Sequence, residues 1–245
     1  MTKLLTMLFA LAVACATVSA HAQATAPAAP MAPAVATPAN TPAVKPAPTA
    51  TSPKSLEAKT AMCVGCHAIK GYHATFPEVY RVPMIAGQSA KYIASALNAY
   101  RSGERKHPTM RAVAGSLTDQ DIADISNYYE HEGKDDQKPL ADKANIEPSA
   151  QVSALLQKAA CVSCHGANFS KPIDPSYPKI AGQHSDYLFV ALKAYKTDGN
   201  AKVGRNNGVM GAIAKQFTNA ELKALSGYVG SLDSELRTKP ESRLR

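Results

Sequence analysis

The chain has 245 residues, room for one large domain or two small ones, and its 45% hydrophobic content includes no Trp and only five Phe. The core must therefore be built from aliphatics, Tyr or a bound group. The formal charge of +8 is uneven: residues 57–132 hold eight basic and eight acidic side chains, residues 155–232 nine and four. No basic run is long enough for a nucleic-acid arm, so the basic second half reads as plain solvated surface or as a face for an acidic partner or anionic membrane.

In chain order, Lys3 precedes an apolar run from Leu4 to Val18, and Ala20-His21-Ala22 supplies a small-x-small cleavage pattern. The run is too short and Ala-rich for a spanning helix, and residues 1–22 read as a secretory signal. A competing reading makes Cys15, behind Ala12-Val13-Ala14, a lipoprotein cleavage site. Residues 23–54 contain eight Pro and eleven Ala. Such a composition buries no core and predicts a disordered tether, about 100 Å long when extended at about 3.1 Å per residue.

Cys15 leaves with the signal, and four cysteines remain in two clusters: "CVGCH" (Cys63, Cys66, His67) and "CVSCH" (Cys161, Cys164, His165). Two disulfide redox pairs, or one four-Cys zinc site, would use the thiols but leave the following His unexplained. C-x-x-C-H is the attachment signature of c-type haem. Two thiols one helical turn apart add across the porphyrin vinyl groups, and the next imidazole meets the iron as proximal ligand. Two porphyrin plates would also make good the thin aromatic content.

The chain repeats itself. "VPMIAGQSAKYIASALNAY" (82–100) aligns without a gap with "YPKIAGQHSDYLFVALKAY" (177–195), and "MRAVAGSLTDQDIADISNYY" (110–129) with "MGAIAKQFTNAELKALSGYV" (210–229). Each copy predicts three helices. The first begins at Ser52-Pro53 in the first copy and carries the haem motif near its end. A middle helix runs from about Ser89 to Arg101, with Tyr92, Ile93, Ala96, Leu97 and Tyr100 on one face, repeated by Tyr187, Leu188, Ala191, Leu192 and Tyr195; both stripes read as core packing. The last opens with Thr118 and Asp121, or Thr218 and Glu221, at capping-box spacing, and turns Ile122, Ile125 and Tyr128, or Leu222, Leu225 and Tyr228, inward. No alternation predicts strands, so the expected class is all-α. The expected organisation is one haem domain over 55–132, a polar linker over 133–148, a second haem domain over 149–235 and a tail over 236–245.

The repeat also filters the ligands for the far side of each iron. Met1 and Met7 lie in the signal and Met31 in the tether; Met62 aligns with Ala160 and Met84 with Lys179. Met110 and Met210 are the aligned pair and the expected axial ligands. His107 aligns with Asn207, and His73, His131 and His184 find no His partner, so these read as exposed or hydrogen-bonded imidazoles.

Two C-x-x-C-H units, each followed by P-x-I-A-G-Q, a Tyr-containing amphipathic helix and Met before L/F-T-x-x-[DE], resemble the dihaem cytochrome c4 family over nearly all of residues 55–232. The resemblance implies two tandem class I cytochrome c domains in pseudo-twofold contact, with haem propionate edges near the interface. It implies the axial pairs His67 with Met110 and His165 with Met210, and Pro83 and Pro178 as residues whose carbonyls orient the proximal His. It further implies periplasmic electron transfer, often membrane-associated, from a quinol-oxidising complex or dehydrogenase to a haem–copper oxidase. The Ala/Pro tether and the first unit's "CHAIKGYHATFPEVYRVPM" depart from the family pattern; only the second unit has CHG. An electron carrier, not an enzyme, is the leading expectation. A dihaem oxidoreductase, such as a thiosulfate dehydrogenase, and a cytochrome subunit of a larger dehydrogenase for thiosulfate, sulfide or alcohol are the alternatives.

Overall fold

Among the described residues, six helices begin where an N-cap side chain offers an acceptor to the otherwise unpaired first-turn N–H groups. The computed structural model describes residues 55–132, 134 and 139–240; the expected signal with Cys15, the tether over 23–54, part of the linker and residues 241–245 lie outside them. Helix α1 (Leu56–His67) is capped by Ser55, whose hydroxyl accepts from the Ala58 N–H at 3.2 Å. The expected cap Ser52-Pro53 lies outside the described residues, and Ser55 fills that role.

A two-residue ladder follows, β1 (His73–Ala74) antiparallel to β2 (Tyr80–Arg81). Helix α2 (Ala90–Ser102) stops at Gly103, whose left-handed φ of 88° lets its N–H close on the Ala99 and Tyr100 carbonyls. Strand β3 (Arg105–Lys106), α3 (Pro108–Gly115) and α4 (Asp119–His131) complete the first unit. The second unit contains α5 (Ala150–Lys158), α6 (Cys161–His165), α7 (Ser185–Tyr195), β4 (Gly204–Arg205), α8 (Gly208–Ala214) and α9 (Asn219–Ser231). Both expected capping boxes form: Thr118 exchanges bonds with Asp121, and Thr218 with Glu221. The class is all-α, as expected, with four short strands among the described residues that periodicity could not reveal because two residues carry none.

The aliphatic stripes face inward. Ile93 and Leu97 of α2 meet Ile122 and Ile125 of α4, and Leu188 of α7 meets Val229 of α9. A third cluster joins Leu155 to Phe217, Leu222 and Leu225. Each such side chain withdrawn from water contributes roughly 1.5–3 kcal/mol. The first-unit segment that lacks CHG is accommodated by the β1–β2 ladder. In the second unit Gly166 (φ 80°) makes a tighter turn, where an added Cβ would lie 2.1 Å from the Lys171 carbonyl oxygen.

The two tandem domains meet along an approximate twofold axis. Strands β3 and β4 pair antiparallel with Arg105 opposite Arg205, its own repeat equivalent, as a self-complementary contact requires. Arg81 pairs with Asp186 at 3.0 Å, Lys91 with Asp174 at 3.3 Å, and Lys193 with Glu78. Lys193 and Arg205, both counted in the basic second half, are thus turned towards the first domain. Leu236 and Arg237, expected in the tail, are packed instead: Leu236 is buried, and the Arg237 N–H donates to the Ala86 carbonyl at 3.0 Å.

Candidate metal centres and the junction between them

Cys63 and Cys66 sit three apart on the last turns of α1, and Cys161 and Cys164 three apart on α6, so each pair lies on one helix face with its His next in sequence. All four thiols are free. Burial pushes the Cys63 thiol up to about 11 and raises Cys161 as well. Disulfide exchange needs the opposite, a thiol poised to ionise. A shared zinc site also fails, because among the described residues no cluster of three or more His, Cys, Asp or Glu could hold a metal ion.

The imidazoles are aimed. His67 Nδ1 lies 2.7 Å from the Pro83 carbonyl oxygen, and His165 Nδ1 lies 3.1 Å from that of Pro178. A carbonyl can only accept, so Nδ1 carries the proton and Nε2 keeps its lone pair. Burial lowers both pKa values, with the proline carbonyls pulling the other way, and both rings are held neutral, the form that binds metal.

Met110 and Met210 lie in the first turns of α3 and α8, half-buried. Met110 packs against the same core cluster as Cys63. The two helices start alike: His107 Nδ1 accepts from the Met110 N–H at 3.3 Å, and Asn207 Oδ1 accepts from the Met210 N–H at 2.9 Å. His107 and its repeat partner Asn207 are therefore both N-caps, which is why different residues align there. The other ring nitrogen of His107 meets the Tyr80 hydroxyl at 3.0 Å, so both nitrogens are engaged. Of the other histidines, His73 lies in β1, His131 bonds the Asn127 carbonyl and His184 precedes α7.

Sequence reasoning missed the centre of the junction. Tyr92, Tyr100, Tyr187 and Tyr195, read as core packing, surround two guanidinium groups there. Arg105 reaches the hydroxyls of Tyr92 (3.3 Å) and Tyr187 (3.4 Å) and lies 4.6 Å from the centre of the Tyr100 ring. Arg205 reaches the Tyr187 hydroxyl at 3.0 Å and lies over the Tyr195 ring. Burial alone would push the Tyr187 phenol up, but Arg205 and Arg105 outweigh it and bring it down to about 8. The signal was available: Arg105 and Arg205 are an aligned pair, five residues before each aligned Met.

The sequence pattern of the cytochrome c family matches residues 56–131 and 149–233, each segment holding one C-x-x-C-H and one of the two methionines. The chain belongs to the cytochrome c family. It is 27% identical to cytochrome c4 of Pseudomonas aeruginosa over 183 residues, covering 72% of this chain and 86% of that one. It is 28% identical to a thiosulfate dehydrogenase electron acceptor of Stutzerimonas stutzeri, covering 69% of this chain and 78% of the relative. Its fold superposes on a cytochrome c4 structure from Acidithiobacillus ferrooxidans with a TM-score of 0.52, 25% identity and coverage of 71% of this chain and 99% of the other. Two cytochrome c domains in tandem make it a dihaem electron carrier of the cytochrome c4 family, with two covalently bound haem c groups.

The chain's own residues fit those groups. Each unit offers two thiols on one helix face and an imidazole with only Nε2 open. The junction supplies a further sign: Arg105 Nε is buried without a partner, and both guanidiniums find tyrosines and no carboxylate. Two half-buried cations side by side are costly unless anions join them. Haem propionates are such anions.

Proposed function

We propose that the protein passes single electrons between respiratory partners in the periplasm, with both irons held by His and Met from this chain. When bound, each haem supplies a one-electron ferric–ferrous couple. His67 and His165 would hold the irons through Nε2, and the Pro83 and Pro178 carbonyls fix the ring tautomer by taking the Nδ1 protons. Met110 and Met210 would complete the ligand set with a neutral thioether, which would favour the ferrous state and raise the potential. Cys63, Cys66, Cys161 and Cys164 fix each plate to its helix. Arg105 and Arg205, with the tyrosines around them, would hold haem carboxylates at the junction. With His and Met both committed to each iron no position would be left for a substrate, so the reading is a carrier and not an enzyme.

The observation that carries the ligand set is the shared start of α3 and α8: two unlike N-caps, His107 and Asn207, each present a methionine at the same place. The ferric holoprotein should therefore show the near-infrared Met–iron charge-transfer band at the intensity of two haems. Met110→Ala and Met210→Ala should each remove half of it, and a Met110→Ala protein that keeps the full band would overturn the assignment for the first haem.

The thiosulfate dehydrogenase electron acceptors among the relatives support a dehydrogenase as donor, beside a quinol-oxidising complex. The acceptor is a haem–copper oxidase. Among the described residues no helix is long and apolar enough to cross a membrane. The segment before residue 55, or basic surface, would carry any membrane association.

A further inference from the structure

The I-A-G-Q blocks do more than turn the chain. Gln88 and Gln183, their last residues, are both buried, yet neither amide serves its own domain alone. Gln183 Nε2 donates to the Met84 carbonyl at 2.9 Å, and its Oε1 accepts from the Met84 N–H at 3.0 Å. Gln88 Nε2 donates to the Lys179 carbonyl at 2.9 Å, and its Oε1 accepts from the Lys179 N–H at 3.0 Å. Met84 and Lys179 are repeat equivalents. Each amide thus clasps one residue of the opposite domain by both backbone groups, as a neighbouring β-strand would. Each Oε1 also accepts from the next N–H in its own domain, Ser89 or His184, at 3.0 Å, which fixes the amide's orientation.

The clasped residue matters because of what precedes it. Met84 follows Pro83, whose carbonyl takes the His67 Nδ1 proton at 2.7 Å; Lys179 follows Pro178, whose carbonyl takes that of His165 at 3.1 Å. The Pro83 carbonyl and the Met84 N–H belong to one peptide plane, so a bond to that N–H orients that carbonyl. Polarising the plane also strengthens the carbonyl as an acceptor. The far end of each loop is anchored within its own domain, Gly87 N–H to the Tyr129 carbonyl at 2.8 Å and Gly182 N–H to the Val229 carbonyl at 2.9 Å. The end beside the proline is the one held from across the junction.

We propose that Gln88 and Gln183 are crossed positioning residues: Gln183, in the second domain, sets the proximal His67 of the first haem, and Gln88, in the first, sets His165 of the second. Hydrogen bonding at Nδ1 governs how strongly an imidazole donates to its metal, so each haem's potential depends on a side chain of the other domain. A partner that shifts one domain against the other would change both. The inference rests on His67 and His165 being the proximal ligands.

The test uses the full-length holoprotein carrying both haems, with Gln183→Ala, Gln88→Ala and the conservative Gln183→Glu, which keeps the acceptor and loses the donor. Midpoint potentials are resolved for each haem by NMR during redox titration, with nitrogen-15-labelled histidine. Gln183→Ala should change the oxidised-to-reduced ratio of the first haem by about threefold, the scale of one hydrogen bond, or about 30 mV for one electron, and move the second haem less. Gln88→Ala should do the reverse, and Gln183→Glu should fall between Gln183→Ala and the unaltered chain. Equal shifts of both haems would mean simple loosening of the junction and would overturn the proposal, as would shifts confined to each variant's own domain or none at all. The ligand reading is checked separately in the unaltered chain: if the His67 ring is not paramagnetically shifted, that reading fails. If it is shifted but unmoved by Gln183→Ala, the crossed control fails.

Discussion

His107 shows how much one side chain's role depends on where its nitrogens are committed. Imidazole is the commoner metal ligand in general, and His107 stands three residues before Met110. Its Nδ1, however, caps the helix that delivers Met110, and its other nitrogen meets Tyr80. Asn207 does the same capping work with an amide oxygen. His107→Asn should therefore keep the Met–iron band and most of the stability, because Oδ1 replaces Nδ1 as acceptor. His107→Ala leaves the first-turn N–H without its acceptor and should cost about 1 kcal/mol in denaturant unfolding, with the first haem's band the more sensitive to temperature. A His107→Asn protein that lost the first haem's band would show that the imidazole does something an amide cannot.

At the scale of elements, the loops that end in Gln88 and Gln183 depend on a backbone that side chains resist. Gly182 has φ 62°, and a Cβ there would lie 2.4 Å from the Ser234 Cβ and 2.6 Å from the Leu232 carbonyl oxygen. Gly182→Ala meets left-handed strain of roughly 1–2 kcal/mol and a steric clash besides. Denaturant unfolding should show a loss of at least about 2 kcal/mol, with the second domain opening first by hydrogen exchange at α9. A loss under about 0.5 kcal/mol would mean that the loop has room to shift. The Gly was legible as a shared repeat residue; the reason for it was not, because Ser234 and Leu232 come from a segment some fifty residues away.

At the scale of the whole molecule, the two domains are joined by ion pairs as well as by the glutamine clasps. Asp186 faces Arg81, and Asp174 faces Lys91. Burial pushes the Asp186 carboxyl up, but bonds from Arg81 outweigh it and leave it low. Asp174 is held down to about 2, chiefly by the Ser176 hydroxyl and N–H and further by Lys91. An unfolded Asp titrates near ~3.9, so both carboxylates contribute stability that is complete above that value and fades as the pH falls through the folded ones. The junction should loosen from about pH 4 down towards about pH 2, read as a growing radius of gyration in small-angle scattering while the haem bands persist. High salt should shift the onset upward, since these pairs are partly exposed. A radius unchanged down to pH 2 would assign the junction to its contacts other than these ion pairs, among them the clasps, the β3–β4 ladder and the Arg–Tyr cluster.

The sequence by itself determined the haem chemistry, the duplication and the helical skeleton. C-x-x-C-H, the capping boxes and the 3.6-residue stripes are local patterns, written in side chains a few positions apart, and the repeat turned seven methionines into one aligned pair. The tertiary structure alone decided what lies between the copies. Gln88 and Gln183 were visible as the last letters of I-A-G-Q, and Arg105 and Arg205 as aligned cations, but nothing local said that they meet at the junction between the copies. The residues clasped by the glutamines lie 91 and 99 positions away in sequence, Arg105 meets Tyr187 from 82 positions away, and an approximate twofold axis brings them together. Sequence periodicity registers which side of a helix is buried, not whose surface buries it, and so the tyrosines read as core were found at the junction.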